Sequence, residues 1–124
     1  MKKLLISKTK RTPEIIFTTS GDLSIIGSSL PEDAKNFYEP ILFWLEEFKQ
    51  TFPKKISLTI DLEYISTSST LIILDILKTV NNPINCEVNI VWVYEEEDID
   101  MKEHGEILQS SIKRNFEFVK KQIN

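Results

Sequence analysis

The chain has 124 residues, 41% hydrophobic and 27% charged, the balance of an ordinary globular protein with one core. A net charge of −4 argues against a sequence-independent grip on nucleic acid. A single cysteine, Cys86, excludes an intrachain disulfide framework and suits a reducing cytoplasm.

The N-terminal residues 1–12 carry Lys2, Lys3, Lys8, Lys10 and Arg11 without interleaved aromatic residues, which reads as a solvated arm or an edge strand. Met1 to Ser7 has too short an apolar stretch for a signal peptide, and no run approaches the ~18 apolar residues of a membrane span. Membrane insertion is therefore not expected. Glu14 to Thr19 and Leu23 to Gly27 are short strand-like runs, and Ser20-Gly21-Asp22 between them signals a hairpin. Ser29 or Asp33 could cap the next element, with Pro31 in its first turn.

The stretch from about Glu32 to Thr51 is an amphipathic helix, with Phe37, Ile41, Trp44, Leu45 and Phe48 on one stripe and an internal Pro40 that could kink or split it. Ile56, Leu58, Ile60 and Leu62 then alternate with Ser57, Thr59, Asp61 and Glu63, the period of a strand with unlike faces. Leu71 to Val80 reads as a largely buried helix. Cys86 to Tyr94 alternates as another strand, Ile99 to Ser111 reads as a helix through Met101, Ile107 and Leu108, and Phe116, Phe118 and Ile123 suggest a final strand.

Between the strand ending at Glu63 and the helix beginning near Leu71, hydroxyl side chains crowd together as Ser66, Thr67, Ser68, Ser69 and Thr70. A helix N-terminus offers free backbone N–H groups and the positive end of the dipole, a suitable place for a phosphoryl group. Capping explains one or two of these hydroxyls and is the commoner reason for them. The strand–helix–strand order implies parallel strands joined by a right-handed crossover, so the junction and the acidic run Glu95, Glu96, Glu97 and Asp98 should share one sheet edge. The expected architecture is α/β: one mixed sheet with an N-terminal antiparallel hairpin, a β-α-β unit and about three helices, forming a single domain over residues 1–124.

Enzymatic chemistry finds little support. His104 is the sole histidine and reads as a surface residue; its neighbour Glu103 points elsewhere on a helix, so the two make no metal pair. Cys86 lacks a partner base and reads as a small core residue. Three glycines, Gly21, Gly27 and Gly105, are too scattered for a phosphate-cradling loop. No cofactor or metal is expected.

Three motifs in order resemble the SiaC family of bacterial regulatory phosphoproteins, from about Leu23 to Phe118. They are Pro31-Glu32-Asp33 with Phe37-Tyr38-Glu39-Pro40 and Trp44-Leu45; Tyr64 with Ser66-Thr67-Ser68-Ser69; and Trp92-Val93-Tyr94-Glu95 with Asp98, Asp100-Met101 and Gly105-Glu106. The resemblance implies an architecture like that of anti-sigma-factor antagonists and a threonine phosphorylated reversibly at Thr67, with Ser68 as the alternative acceptor and Tyr64, Ser66 and Ser69 around it. It further implies a cognate protein kinase, a PP2C-type phosphatase, and a diguanylate cyclase as output partner in cyclic-di-GMP signalling. Two positions depart from the family pattern: Ser66 stands where an asparagine is usual, and Thr70-Leu71 replaces a lysine. Ser66 can still cap and bond locally, whereas the lost lysine bears on partner choice. The competing reading is a binding module without phosphorylation, whose acidic edge Glu95 to Asp98 meets a basic partner.

Overall fold

Strand alternation and helix periodicity resolve into nine elements in the computed structural model, which describes residues 1–122. In chain order they are β1 (Leu4–Ile6), β2 (Glu14–Phe17), β3 (Asp22–Ser29), α1 (Ala34–Lys49), β4 (Lys55–Ile65), α2 (Thr67–Val80), β5 (Glu87–Glu95), α3 (Ile99–Ile112) and β6 (Glu117–Lys121). The final segment is a strand, as its alternation suggests; Ile123 lies outside the described residues.

The six strands form one sheet whose spatial order is the order of the chain, β1-β2-β3-β4-β5-β6. β1 and β2, and β2 and β3, pair antiparallel; β3, β4, β5 and β6 pair parallel. Thus part of the basic N-terminus is an edge strand, and Trp44 Nε1 donates to the Lys2 carbonyl at 2.8 Å to hold it against α1. Three crossovers, each through one helix, step the same way along the sheet, and all three helices cover one face, as a constant crossover hand requires. The core lies between: Leu58 and Ile60 of β4 and Trp92 of β5 point into it, against Ile41 and Leu45 of α1 and Ile73 of α2. The opposite face is open, carrying Ser57, Thr59 and Asp61 of β4 with Val91 and Val93 of β5.

Helix starts are set by side-chain caps. Asp33 accepts from the Asn36 amide at 3.0 Å, and Asp98 accepts from the Met101 amide at 3.0 Å. Ser29 is therefore not a cap but the buried end of β3, and Pro31 precedes α1. α1 runs unbroken through Pro40. Its deepest residues, Tyr38, Ile41, Leu45 and Phe48, follow an i, i+3, i+7, i+10 spacing, while Phe37 is half-buried. Cys86 falls just before β5, half-buried against the core, and burial pushes its thiol pKa up. Among the described residues no helix is long and apolar enough to cross a membrane.

Candidate functional site

A register shift builds the hydroxyl junction. β3 and β4 pair residue for residue from Asp22↔Ser57 to Gly27↔Leu62, then skip Glu63 to resume at Ser28↔Tyr64 and Ser29↔Ile65. One extra residue in β4 inverts the inside–outside alternation beyond it. Tyr64 would otherwise follow Leu62 into the core, and instead it is 55% exposed. Gly27, at φ 133°, supplies the matching backbone freedom on β3. The shifted end of β4 meets the end of β3, where the Ser66 amide donates to the Ser29 carbonyl at 2.8 Å.

The hydroxyls then divide by task. Ser66 is the N-cap of α2: its Oγ accepts from the Ser69 amide at 3.2 Å. Ser69 is fully buried, and its Oγ accepts from Ser66 Oγ at 2.9 Å and from Ser29 Oγ at 2.8 Å. With its proton so committed, Ser29 Oγ accepts from the Tyr38 phenol at 2.6 Å. Burial raises the Tyr38 pKa to about 12 against a smaller opposing effect of Ser29, so the phenol stays a donor. A continuous hydroxyl chain thus runs from the interior of α1 to the cap of α2. No buried side-chain nitrogen or oxygen lacks a partner among the described residues.

Thr70 is occupied too. Its hydroxyl donates to the Ser66 carbonyl at 3.0 Å, so its oxygen accepts from His104 Nε2 at 3.1 Å, which fixes the Nε2–H tautomer. The His104 ring lies over Trp92 with centroids 6.2 Å apart, and burial lowers its pKa. His104 is therefore a half-buried strut between α3 and the first turn of α2, not the surface residue its isolation in the sequence suggests.

Thr67 and Ser68 remain, both exposed. Ser68 Oγ lies 3.3 Å from Ser66 Oγ, and Thr67 Oγ1 has no hydrogen-bond partner among the described residues. The Thr67 and Ser68 amides, at the open end of α2, also have none there. The acidic run sits at the same sheet edge, where β5 passes into α3. Glu96 and Glu97 are exposed, Glu95 ends β5 half-buried, and Asp98 is the cap already described. Glu96 pairs with Lys120 at 3.6 Å. The structure therefore gathers Tyr64, Thr67, Ser68 and the acidic run at one edge, with Ser66 and Ser69 beneath. Ser29, Tyr38 and His104 support the junction without having been singled out for it; only the heptad-like spacing of Tyr38 with Ile41, Leu45 and Phe48 offered a sequence signal.

Three solved structures of similar architecture are of SiaC from Pseudomonas aeruginosa. Apo-SiaC superposes with a TM-score of 0.88 at 26% identity, covering 96% of this chain and 99% of that one. A second SiaC structure gives a TM-score of 0.81 at 26% identity, covering 99% and 100%. SiaC in complex with the diguanylate cyclase SiaD, which it activates, gives 0.83 at 26% identity, covering 95% and 99%. A search of curated proteins finds no match. Residues 6–121 match the SiaC family of regulatory phosphoproteins, and the chain belongs to that family.

Proposed function

We propose that this protein is a non-enzymatic switch: reversible phosphorylation of Thr67, with Ser68 as the alternative acceptor, controls its binding to an output protein such as a diguanylate cyclase. One observation carries the reading. Ser66, Ser69 and Thr70 each have a structural task, whereas Thr67 Oγ1 is exposed with no partner among the described residues and exposed Ser68 Oγ has only its 3.3 Å contact to Ser66. Capping, core packing and the bond to His104 account for Ser66, Ser69 and Thr70 and leave Thr67 and Ser68 unexplained. The P. aeruginosa relative crystallised with a diguanylate cyclase supports the choice of partner. A cognate kinase and a PP2C-type phosphatase in the cytoplasm complete the cycle.

The physical effect follows from charge. A phosphothreonine carries about −1.5 to −2 at neutral pH. The free Thr67 and Ser68 amides and the α2 dipole stabilise it locally. The dianion also joins Glu95, Glu96 and Glu97 at one edge, so a partner that packs on a neutral junction meets hydrated charge. Loss of such a contact commonly costs about 2–5 kcal/mol, roughly 30-fold or more in affinity.

Phosphosite mass spectrometry on protein isolated from its host, with phosphatases inhibited, is the test. Thr67→Ala should abolish phosphate incorporation and leave unmodified-state partner binding intact. Because Ser66 is the cap, Thr67→Ala should also shift stability by less than ~0.5 kcal/mol. Phosphate on Ser68 keeps the mechanism and moves the acceptor; no phosphate under any growth condition favours the plain binding module with Glu95 to Asp98 as its docking edge.

A further inference from the structure

The hydroxyl junction presents mainly polar side chains, with Tyr64 its one large exposed ring. α1 and α2 both start at that sheet edge and pack side by side, and a groove of about 740 Å³ opens between them. Its apolar lining is Ala34 and Leu42 of α1 with Leu71 and Ile72 of α2. Leu71 is 65% exposed, at odds with the buried helix its aliphatic neighbours suggest. Glu32, Asp33, Glu39 and Asp75 line the groove against a single cation, Lys35. None of these five is in an ion pair among the described residues. Ser68 forms part of the same wall.

We propose that this groove docks an amphipathic helix of the output protein, one with a ridge of large aliphatic residues flanked by Lys or Arg. The proposal rests on the reading that the protein acts by binding, and adds the surface and the chemistry that surface selects. Ser68, Leu71, Ile72 and Asp75 stand at i, i+3, i+4 and i+7 and form one face of α2. At ~1.5 Å per residue that face is about 10 Å long, matching two turns of a third helix whose own i, i+3, i+4, i+7 ridge enters the groove. The carboxylate excess selects the sign of the flanks. The Glu95 to Asp98 edge has a similar balance, four carboxylates with Glu96 facing Lys120, so the apolar lining between the helices is what sets the groove apart. The open sheet face has exposed Leu5, Ile16 and Ile26, but Asp61 and Lys121 at its centre neutralise each other. A phosphate on Ser68 would stand inside the groove, opposite the docked ridge.

The test is a two-dimensional NMR titration of unphosphorylated protein with a synthetic helical peptide of about five turns, leucines along one ridge and lysines beside them. Controls are the same composition scrambled, and the same ridge flanked by glutamates. Saturable shifts confined to Ser68–Asp75 and Ala34–Leu42, from the lysine peptide alone, are expected. Leu71→Asp should weaken binding by about tenfold or more. Ile107→Asp alters a residue equally exposed at 66% on α3, away from the groove, and should leave binding unchanged. The pair Glu39→Lys and Asp75→Lys should reverse the preference toward the glutamate peptide. Absence of saturable shifts, shifts centred on Glu95 to Asp98 or on the open sheet face, or equal loss from Ile107→Asp overturns the proposal. Since no phosphate enters the titration, such a failure leaves the Thr67 reading standing, and absence of phosphate on Thr67 in cells leaves the titration unaffected.

Discussion

His104 illustrates how one side chain can tie two helices together at the hydroxyl junction. Its Nε2–H reaches Thr70 while its ring rests on Trp92, and burial holds its pKa below the usual 6.5. The unfolded chain therefore binds the proton more readily than the folded one, and stability rises with pH. His104 should contribute fully above about 6.5 and lose that contribution as pH falls below it, toward its lowered folded value. Urea melts of wild type and His104→Gln across that range should diverge near neutrality and converge in acid. A constant difference between the two would mean that the histidine does not titrate in this way. At this scale the sequence was least legible. Hydroxyl crowding is visible in the one-dimensional order, but its division among cap, core and strut depends on Ser29, Tyr38 and His104, which lie up to 40 residues away. Tyr64 was equally hidden, because the bulge that turns it outward is a property of pairing with β3.

α3 offers a case where an element's local preference yields to packing. Glycine in a helix costs about 1 kcal/mol relative to alanine, so Gly105 weakens α3 in isolation. In the folded protein a Cβ there would stand 2.6 Å from the Trp92 ring, whose Nε1 also donates to the Met101 carbonyl at 2.9 Å. Gly105 is what lets the α3 backbone lie flat on β5. Gly105→Ala should therefore destabilise the protein by about 1–3 kcal/mol in urea unfolding, against the gain expected on a solvent-facing turn. A gain instead would show that α3 can lift off the sheet at no cost. Elements were the most legible level. Ile56, Leu58, Ile60 and Leu62 announce their strand because one face of β4 is core and the other is not. Exposed Leu71 and Ile107 escaped the same logic, since an aliphatic run reads as buried whether or not a neighbour covers it.

Across the whole molecule, the open sheet face is held by long-range polar contact. Lys121 of β6 reaches over β5 to Asp61 of β4, Nζ to Oδ1 at 2.7 Å. The pair is partly exposed, so its worth is modest. Lys121→Met should cost roughly 1 kcal/mol at low ionic strength and less at high salt. A cost unaffected by salt would point to lost packing of the lysine stem. The sheet's strand order has a further consequence for how the protein is made. Each strand pairs with the one synthesised just before it, so nothing waits for a distant partner to leave the ribosome. Once residue 80 has emerged, β3, β4, α1 and α2 are all present, and with them Ser29, Tyr38, Ser66 and Ser69. The platform beneath the hydroxyl junction can assemble before its acidic neighbours and its histidine strut exist, and the last third of the chain closes over it.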